Sequence, residues 1–290
     1  MPSLKAVRLR IASVKSTQKI TSAMKLVAAA KLRRAQDAII AARPYAKALG
    51  DITAEVAARA GAEAHPLLEQ REPKRMILLV ITSDRGLCGG FNANLCRLAQ
   101  RLAEESLTKN GVAELRYETV GKKGREYFRR RKLNLTRDFP GAEGPTSLTR
   151  AKELAATLTE EFLAGRVDSV QVVYNQFKSV VAQKPAVEQL LPIASAPTAG
   201  DAGASEFLFE PGKEEILEYL LPMYVETQLH RAILESIASE FGARMTAMEN
   251  ATKSANEMIN KLTLLYNRAR QASITKELME IVGGAEALKG

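Results

Sequence analysis

The chain has 290 residues, 46% of them apolar, and 42 Lys or Arg against 33 Asp or Glu give it a net charge of +9. That length holds two ordinary domains or one domain with long extensions, and the apolar fraction is enough for a buried core. Two cysteines, Cys88 and Cys96, exclude a disulfide scaffold and form no CxxC pair for zinc, which points to a reducing compartment.

Residues 1–43 carry ten Lys or Arg and one acid, Asp37, so the surplus of the whole chain lies in this arm, and the other 247 residues balance at 32 against 32. No Pro or Gly interrupts Ser3 to Arg43, and Ala, Leu, Lys, Arg and Gln dominate, which predicts one helix. Leu4, Val7, Ile11, Val14, Gln18 and Thr21 keep 3-4 spacing. After a slip of register Leu32, Ala35, Ile39, Ala42, Ala46 and Leu49 keep it again, with Pro44 expected to kink or restart the helix. The acid-poor start has the composition of a transit peptide but shows no cleavage-like break, and no apolar h-region suggests a secretory signal. A loop with Gly61, His65 and Pro66 closes the segment.

Between residues 75 and 192, Met76 to Thr82, Glu114 to Val120 and Ser169 to Phe177 read as strands, separated by helical spacings such as Leu148, Ala151, Leu154, Leu158 and Phe162. The alternation predicts an α/β domain with a mostly parallel, Rossmann-like sheet. The longest apolar run, Met76 to Ile81, is strand-sized, so no membrane-spanning helix is expected. Ala194 to Ser205 reads as a linker.

After Pro222 a helix can run from 223 to 282, and Ile237, Phe241, Arg244, Met248, Ala251, Ala255, Met258, Leu262, Leu265, Ala269 and Ala272 give it a coiled-coil seam. Each terminal helix needs a partner for its stripe, and the antiparallel mate is the other one. Aligning Ile52 with Ile216 sets paired numbers to total near 268, placing Leu4 beside Leu262 to Leu265 and Met24 beside Arg244. Residues 268–282 then form a lone helix of roughly 22 Å. Its Ile274, Leu278, Met279, Ile281 and Val282 call for an enclosing sleeve. The expected domains are 1–60, a coiled-coil helix; 61–206, the α/β domain with its linker; and 207–290, the second coiled-coil helix with a single-helix tip.

Ser83 to Asn92 follows the first strand, where a phosphate-cradling loop would lie, but glycines at 86, 89 and 90 fit neither GxGxxG nor GxxxxGK[ST]. A tight strand-to-helix turn fits better, as it does for Gly121-Lys122-Lys123-Gly124. His65 and His230 have no ligand partners at zinc spacing and read as surface or packing residues. Cys88 and Cys96 read as small packing residues rather than reactive thiols. No set of nucleophile, base and orienter can be named, so no catalytic, cofactor or metal residues are expected. The basic arm reads as a solvated helix face or as a surface for an anionic partner. Apart from Arg33, four residues before Asp37, its cations lack acidic i, i+4 partners, which favours a partner. Nucleic acid is one candidate, although the arm has no aromatic, and Gln18 and Gln36 are the only Asn or Gln it offers for reading bases.

Ile11 to Gln36 resembles the N-terminal helix of the gamma subunit of rotary ATP synthases; Ser83 to Asn92 resembles that family's central signature, and Leu265 to Leu278 its C-terminal helix. Residues 95–215 match weakly. The resemblance implies a non-catalytic central rotor shaft of a proton-translocating ATP synthase, inside a hexamer of alpha and beta subunits, with its foot on a membrane ring of c subunits. By the same resemblance Met24, Lys25, Glu240, Arg244, Arg268, Arg270 and Gln271 meet the hexamer, and Phe207, Phe209 and Glu210 meet the c-ring and the epsilon subunit. It also implies no cofactor, no nucleic acid, and a peripheral place on the cytoplasmic side of a bacterial inner membrane, a mature mitochondrial chain being the lesser reading. No cysteine-bearing regulatory insertion of the plastid type is visible. The alternative from another class is a basic coiled-coil nucleic-acid-binding protein.

Overall fold

The computed structural model describes residues 3–61, 63–144, 146–180, 182–194 and 212–287. They form two compact units, residues 28–244 and, from the two chain ends, residues 1–27 with 245–290. Helix α1 (Leu4–Ala60) and helix α5 (Lys213–Ala287) each contribute to both.

The larger unit is built on a five-stranded sheet. Its strands are β1 (Arg75–Ile81), β2 (Glu114–Val120), β3 (Leu135–Phe139), β4 (Ser169–Phe177) and β5 (Gln183–Leu191), in the order β3-β2-β1-β4-β5. All pairings are parallel except β4 with β5. Central β1 is apolar on both faces because both are covered. Ile77, Leu79 and Ile81 meet Leu154, Leu158 and Phe162 of α4 (Thr146–Leu163) and Leu221, Val225 and Leu229 of α5. On the other face Met76, Leu78 and Val80 meet Leu95 and Ala99 of α2 (Phe91–Lys109) and Phe128 of α3 (Lys122–Arg130).

Three strands fall where the sequence places them. The other two, β3 and β5, escape it because they are the sheet edges. Their segments, LTRDF and QKPAVEQLL, carry the charges and the proline that edge strands tolerate and central strands do not. Pro44 and Pro222 also behave differently from expectation: α1 and α5 run straight through them. Both prolines are exposed, as are Ile40 and Glu218 one turn before them, so the carbonyl that loses its N–H partner faces water. The heptad spacing of α1 does not slip either. Between Thr21 and Leu32 the buried face continues through half-buried Lys25 and Ala28, which is 1% exposed.

In the smaller unit the two helical segments run antiparallel. Arg8 Nη2 donates to the Tyr266 hydroxyl at 2.8 Å, the Thr252 hydroxyl to that of Thr21 at 2.8 Å, and Lys25 pairs with Glu249 at 2.6 Å. These pairs total 273 or 274 in residue number, not the expected 268. The Ile52–Ile216 anchor is the cause: α1 runs on to Ala60 and α5 begins at Lys213, and those ends total 273. The register therefore sets Met24 opposite the neighbourhood of Asn250, and Leu4 opposite that of Arg270.

Proline at Leu262, half-buried on the inner face of this coil, should cost about 3 kcal/mol in helix propensity alone. Circular dichroism of Leu262→Pro is expected to show lost helicity and a lower melting temperature, with near-ultraviolet signals of the α/β unit retained.

Candidate functional site

In sheets of this connectivity ligands lie in the crevice beyond the carboxyl ends of the strands, where the chain switches direction about β1 and β4. Here helix α5 fills that crevice. The Ser236 hydroxyl donates to the Ile81 carbonyl at 3.3 Å and the Ser239 hydroxyl to the Asn175 carbonyl at 2.9 Å, capping the ends of β1 and β4. Both serines are buried, as are Ala232 and Ala238. A Cβ at Gly242 would stand 3.3 Å from the Val180 carbonyl and 3.5 Å from the Phe177 ring. Small side chains let the helix lie close against the strand ends, and a cavity of only about 20 Å³ remains between Asp84, Ser236 and Glu240, room for one water.

The turn after β1 is held by its own side chains. Ser83 N–H donates to Asn92 Oδ1 at 3.0 Å, and the Ser83 hydroxyl to the Arg85 carbonyl at 2.7 Å. Asp84 Oδ1 accepts the Lys122 N–H at 2.9 Å, so a carboxylate from the first turn caps the start of α3. It also accepts the Gly141 N–H at 3.3 Å. Gly121, at φ 95°, brings α3 so close that a Cβ would lie 2.3 Å from the Thr82 carbonyl, and the Gly124 N–H meets the Thr82 hydroxyl at 2.8 Å. The Gly121–Gly124 pair is thus a close-packing device, whereas a Cβ at Gly86 would meet nothing within 4 Å and Gly89, at φ 57°, serves the turn itself. His65 Nδ1 accepts the Leu67 N–H at 3.1 Å, and His230 Nε2 lies 3.2 Å from the Ser147 hydroxyl. Burial pushes the Cys96 thiol up to about 12 and raises Cys88 as well, which makes both poor nucleophiles.

Glu240 and Arg244, expected by resemblance to meet the hexamer, with Arg244 also read as a seam position, are turned inward. Their side chains are each 9% exposed and paired at 2.6 Å. Arg244 Nη2 also donates to the carbonyls of Arg85 and Gly86, at 3.3 and 3.2 Å. Burial raises the Glu240 carboxyl above its ordinary range while Arg244 opposes that shift. The two residues share the face of α5 that enters the crevice, where the turn carbonyls accept from Arg244 and Arg244 holds Glu240.

Met24 and Lys25 are half-buried in the coil, and Arg268, Arg270 and Gln271 are exposed. Phe207, Phe209 and Glu210 lie outside the described residues. Of the expected seam, Val7, Met248 and Ala255 are buried, and Leu4, Ile11, Val14, Ala251 and Leu262 half-buried. Met258 and Leu265, by contrast, are 45% and 44% exposed. Ile259 and Tyr266 take the inner positions instead, so the stripe reads Met248, Thr252, Ala255, Ile259, Leu262, Tyr266, Ala269 and Ser273. Two stripes share Met248, Ala255, Leu262 and Ala269, and hydropathy alone cannot choose between them. The Thr21–Thr252 and Arg8–Tyr266 bonds do, with the Arg8 guanidinium 5.7 Å from the Tyr266 ring centre.

An α/β unit whose ligand crevice is filled by its own helix, in a chain whose ends form an antiparallel coil, defines a structural, coupling class of subunit. A family model described as ATP synthase matches residues 3–288. The ATP synthase gamma chain of Anaeromyxobacter sp. (strain Fw109-5) is 55% identical with complete coverage of both chains, and that of Pelotomaculum thermopropionicum 50% identical, again with complete coverage. The chain belongs to the ATP synthase gamma-chain family. A chain from the central stalk and c-ring structure of the Tetrahymena thermophila mitochondrial ATP synthase matches with a TM-score of 0.61 at 26% identity, over 80% of this chain and 99% of that one. A chain from the rotor of the Euglena gracilis enzyme has a TM-score of 0.65 over 93% of this chain and 98% of its own, and at 20% identity shares the fold. The nucleic-acid alternative gains no support from these relatives.

Arg244→Ala would strand the buried Glu240 and two loop carbonyls, and should cost about 3–5 kcal/mol in urea denaturation. Arg244→Met combined with Glu240→Leu removes both charges and should recover most of that loss.

Proposed function

We propose that this chain is the central rotor shaft of a proton-translocating ATP synthase, turning with a membrane c-ring and imposing conformational change on the catalytic sites of an alpha/beta hexamer. The observation that carries this reading is the outer surface of the coil. Leu9, Ile20, Leu26, Val27, Leu264 and Leu265 are 44–68% exposed there. Beyond the paired part, every described side chain from Ile274 is exposed, including Leu278, Met279, Ile281 and Val282. An apolar rod of this kind needs an enclosing wall. No helix among the described residues is long and apolar enough to cross a membrane, in keeping with peripheral attachment; the cytoplasmic side of a bacterial inner membrane is the place we assign it.

Met24, Lys25, Arg268, Arg270 and Gln271 are the hexamer contacts in this reading. Glu240 and Arg244 act from within, by fixing the Arg85 turn. Phe207, Phe209 and Glu210 keep the role of a foot on the c-ring and epsilon subunit. A shaft must turn as well as hold, and a cationic surface passing acidic loops is attracted without a fixed geometry. Because the shaft lacks three-fold symmetry, it offers different contacts to three identical sites and biases each toward a different affinity, which links rotation to binding change.

The deciding experiment is Mg-ATP hydrolysis by purified alpha and beta subunits with and without this chain, on the size-exclusion fraction containing all three. Co-elution with stimulated hydrolysis, lost when Arg270 and Gln271 are changed together, is the expected result; absence of both would overturn the reading. Lys25→Glu with Arg33→Glu should reduce stimulation severalfold while leaving helicity near that of the unaltered chain, because exposed charges such as the Lys25–Glu249 pair contribute only about 0–1 kcal/mol to folding.

A further inference from the structure

Helix α3 and the residues just past it, Lys122 to Lys132, hold seven cations and one acid in eleven positions. The run ends in the left-handed region. Lys132, at φ 54°, returns its N–H to the Arg129 carbonyl at 3.0 Å, and the Leu133 N–H reaches the Phe128 carbonyl at 3.1 Å. Glycine is the usual residue at such a helix end, because a Cβ is disfavoured there. Lys132 gains no burial in return, and Arg130 and Arg131 before it are exposed as well. Attraction to the helix C-terminus favours cations within the last turn, but it gives no reason to prefer lysine over glycine beyond it.

Asn134 Nδ2 donates to the Leu115 carbonyl at 3.1 Å, which sets this corner at the amino ends of the strands. Helix α5 begins at the same end: burial lowers the pKa of His65, in the segment leading into β1, and Glu218 from the start of α5 opposes that shift. The neighbouring cations there are neutralised, since Arg71, Lys74, Arg75 and Arg166 each hold a carboxylate within 3.4 Å. Arg129 shares Asp138 with Arg125. Among the described residues Arg130, Arg131 and Lys132 have no carboxylate partner, and the Arg131 guanidinium instead lies 3.7 Å from the Tyr127 ring centre.

We infer that the corner Arg130-Arg131-Lys132 meets the anionic headgroups of the bilayer around the c-ring. This rests on the rotor reading, in which the segment before α5 stands on the ring, so that the strand amino ends face the membrane. A corner that turns with the rotor needs a partner offering the same charge at every angle. A lipid surface does so, whereas an acidic patch on a stationary protein offers it at one angle only. Headgroup attraction is not directional, and it steadies the domain against tilting without holding it at any position.

The test is sedimentation of the complex of this chain with alpha and beta subunits on lipid vesicles, because in the isolated chain the cationic arm of residues 1–43 would bind anionic vesicles by itself. Binding is expected with phosphatidylglycerol present, to weaken with salt, and to be lost on pure phosphatidylcholine. Lys132→Gln should weaken it about fivefold, and Arg130→Gln, Arg131→Gln and Lys132→Gln together about a hundredfold. Lys122→Gln, roughly 12 Å away at the other end of α3 and beyond a Debye length, should change it less than about twofold. Lys132→Gly is expected to bind like Lys132→Gln, yet to melt at or above the unaltered chain. Binding indifferent to phosphatidylglycerol, equal effects of Lys122→Gln and Lys132→Gln, or a triple variant that binds duplex DNA less well but vesicles unchanged would overturn the inference. A lower melting temperature for Lys132→Gly would refute the backbone argument. Failure of the unaltered chain to join alpha and beta would instead overturn the rotor reading beneath it.

Discussion

The seat of helix α5 in the crevice at the strand carboxyl ends is the constraint on which the rest of the molecule depends. Backbone carbonyls at the ends of β1 and β4 have no further strand to bond, and leaving them buried without a partner is costly. Ser236 and Ser239 supply the hydroxyls, and Ala232, Ala238 and Gly242 supply the closeness. A larger residue at these positions would push the helix away from the strand ends and loosen the core it shares with β1 and α4. The same face carries Glu240 and Arg244 into the turn after β1, so the helix and the turn are fixed as one body.

This arrangement separates the fold from the function its connectivity suggests. A doubly wound sheet offers a ligand crevice, yet here the helix occupies it, and the Asp84 carboxylate is taken up by the Lys122 N–H at the start of α3. What remains is a mechanical element. A shaft subunit needs a domain that cannot slip on its helix, and seating that helix where another protein would bind a nucleotide meets the need with an ordinary fold.

The surface follows a different rule from the core. The cationic surplus of residues 1–43 and the large apolar residues on the outside of the coil would both be liabilities in a free monomer, the first through self-repulsion and the second through association. Together they describe a rod meant to stand inside other chains.

Much of this was legible in the residues because it depends on local periodicity. The apolar runs of β1, β2 and β4, the 3-4 spacing of the terminal helices and the turn chemistry of Ser83 to Asn92 are properties of short segments, and a buried stripe or strand must display them wherever it sits. The edge strands were not legible, because an edge is defined by having no neighbour on one side and is written in charged, proline-bearing residues that also describe loops. Nor were the uninterrupted helices at Pro44 and Pro222, since the tolerance of a proline depends on whether the abandoned carbonyl faces water.

Sequence by itself determined the element types, the antiparallel partnership of the chain ends, the concentration of charge in the arm and the absence of a phosphate-binding spacing. Tertiary structure alone decided which of two overlapping stripes of α5 faces its partner, where the register falls, and that Glu240 points inward to pair with Arg244. Those choices rest on contacts between residues more than a hundred positions apart, such as Arg8 with Tyr266 and Arg244 with Gly86, and no local pattern encodes which of several equally spaced residues will find such a partner.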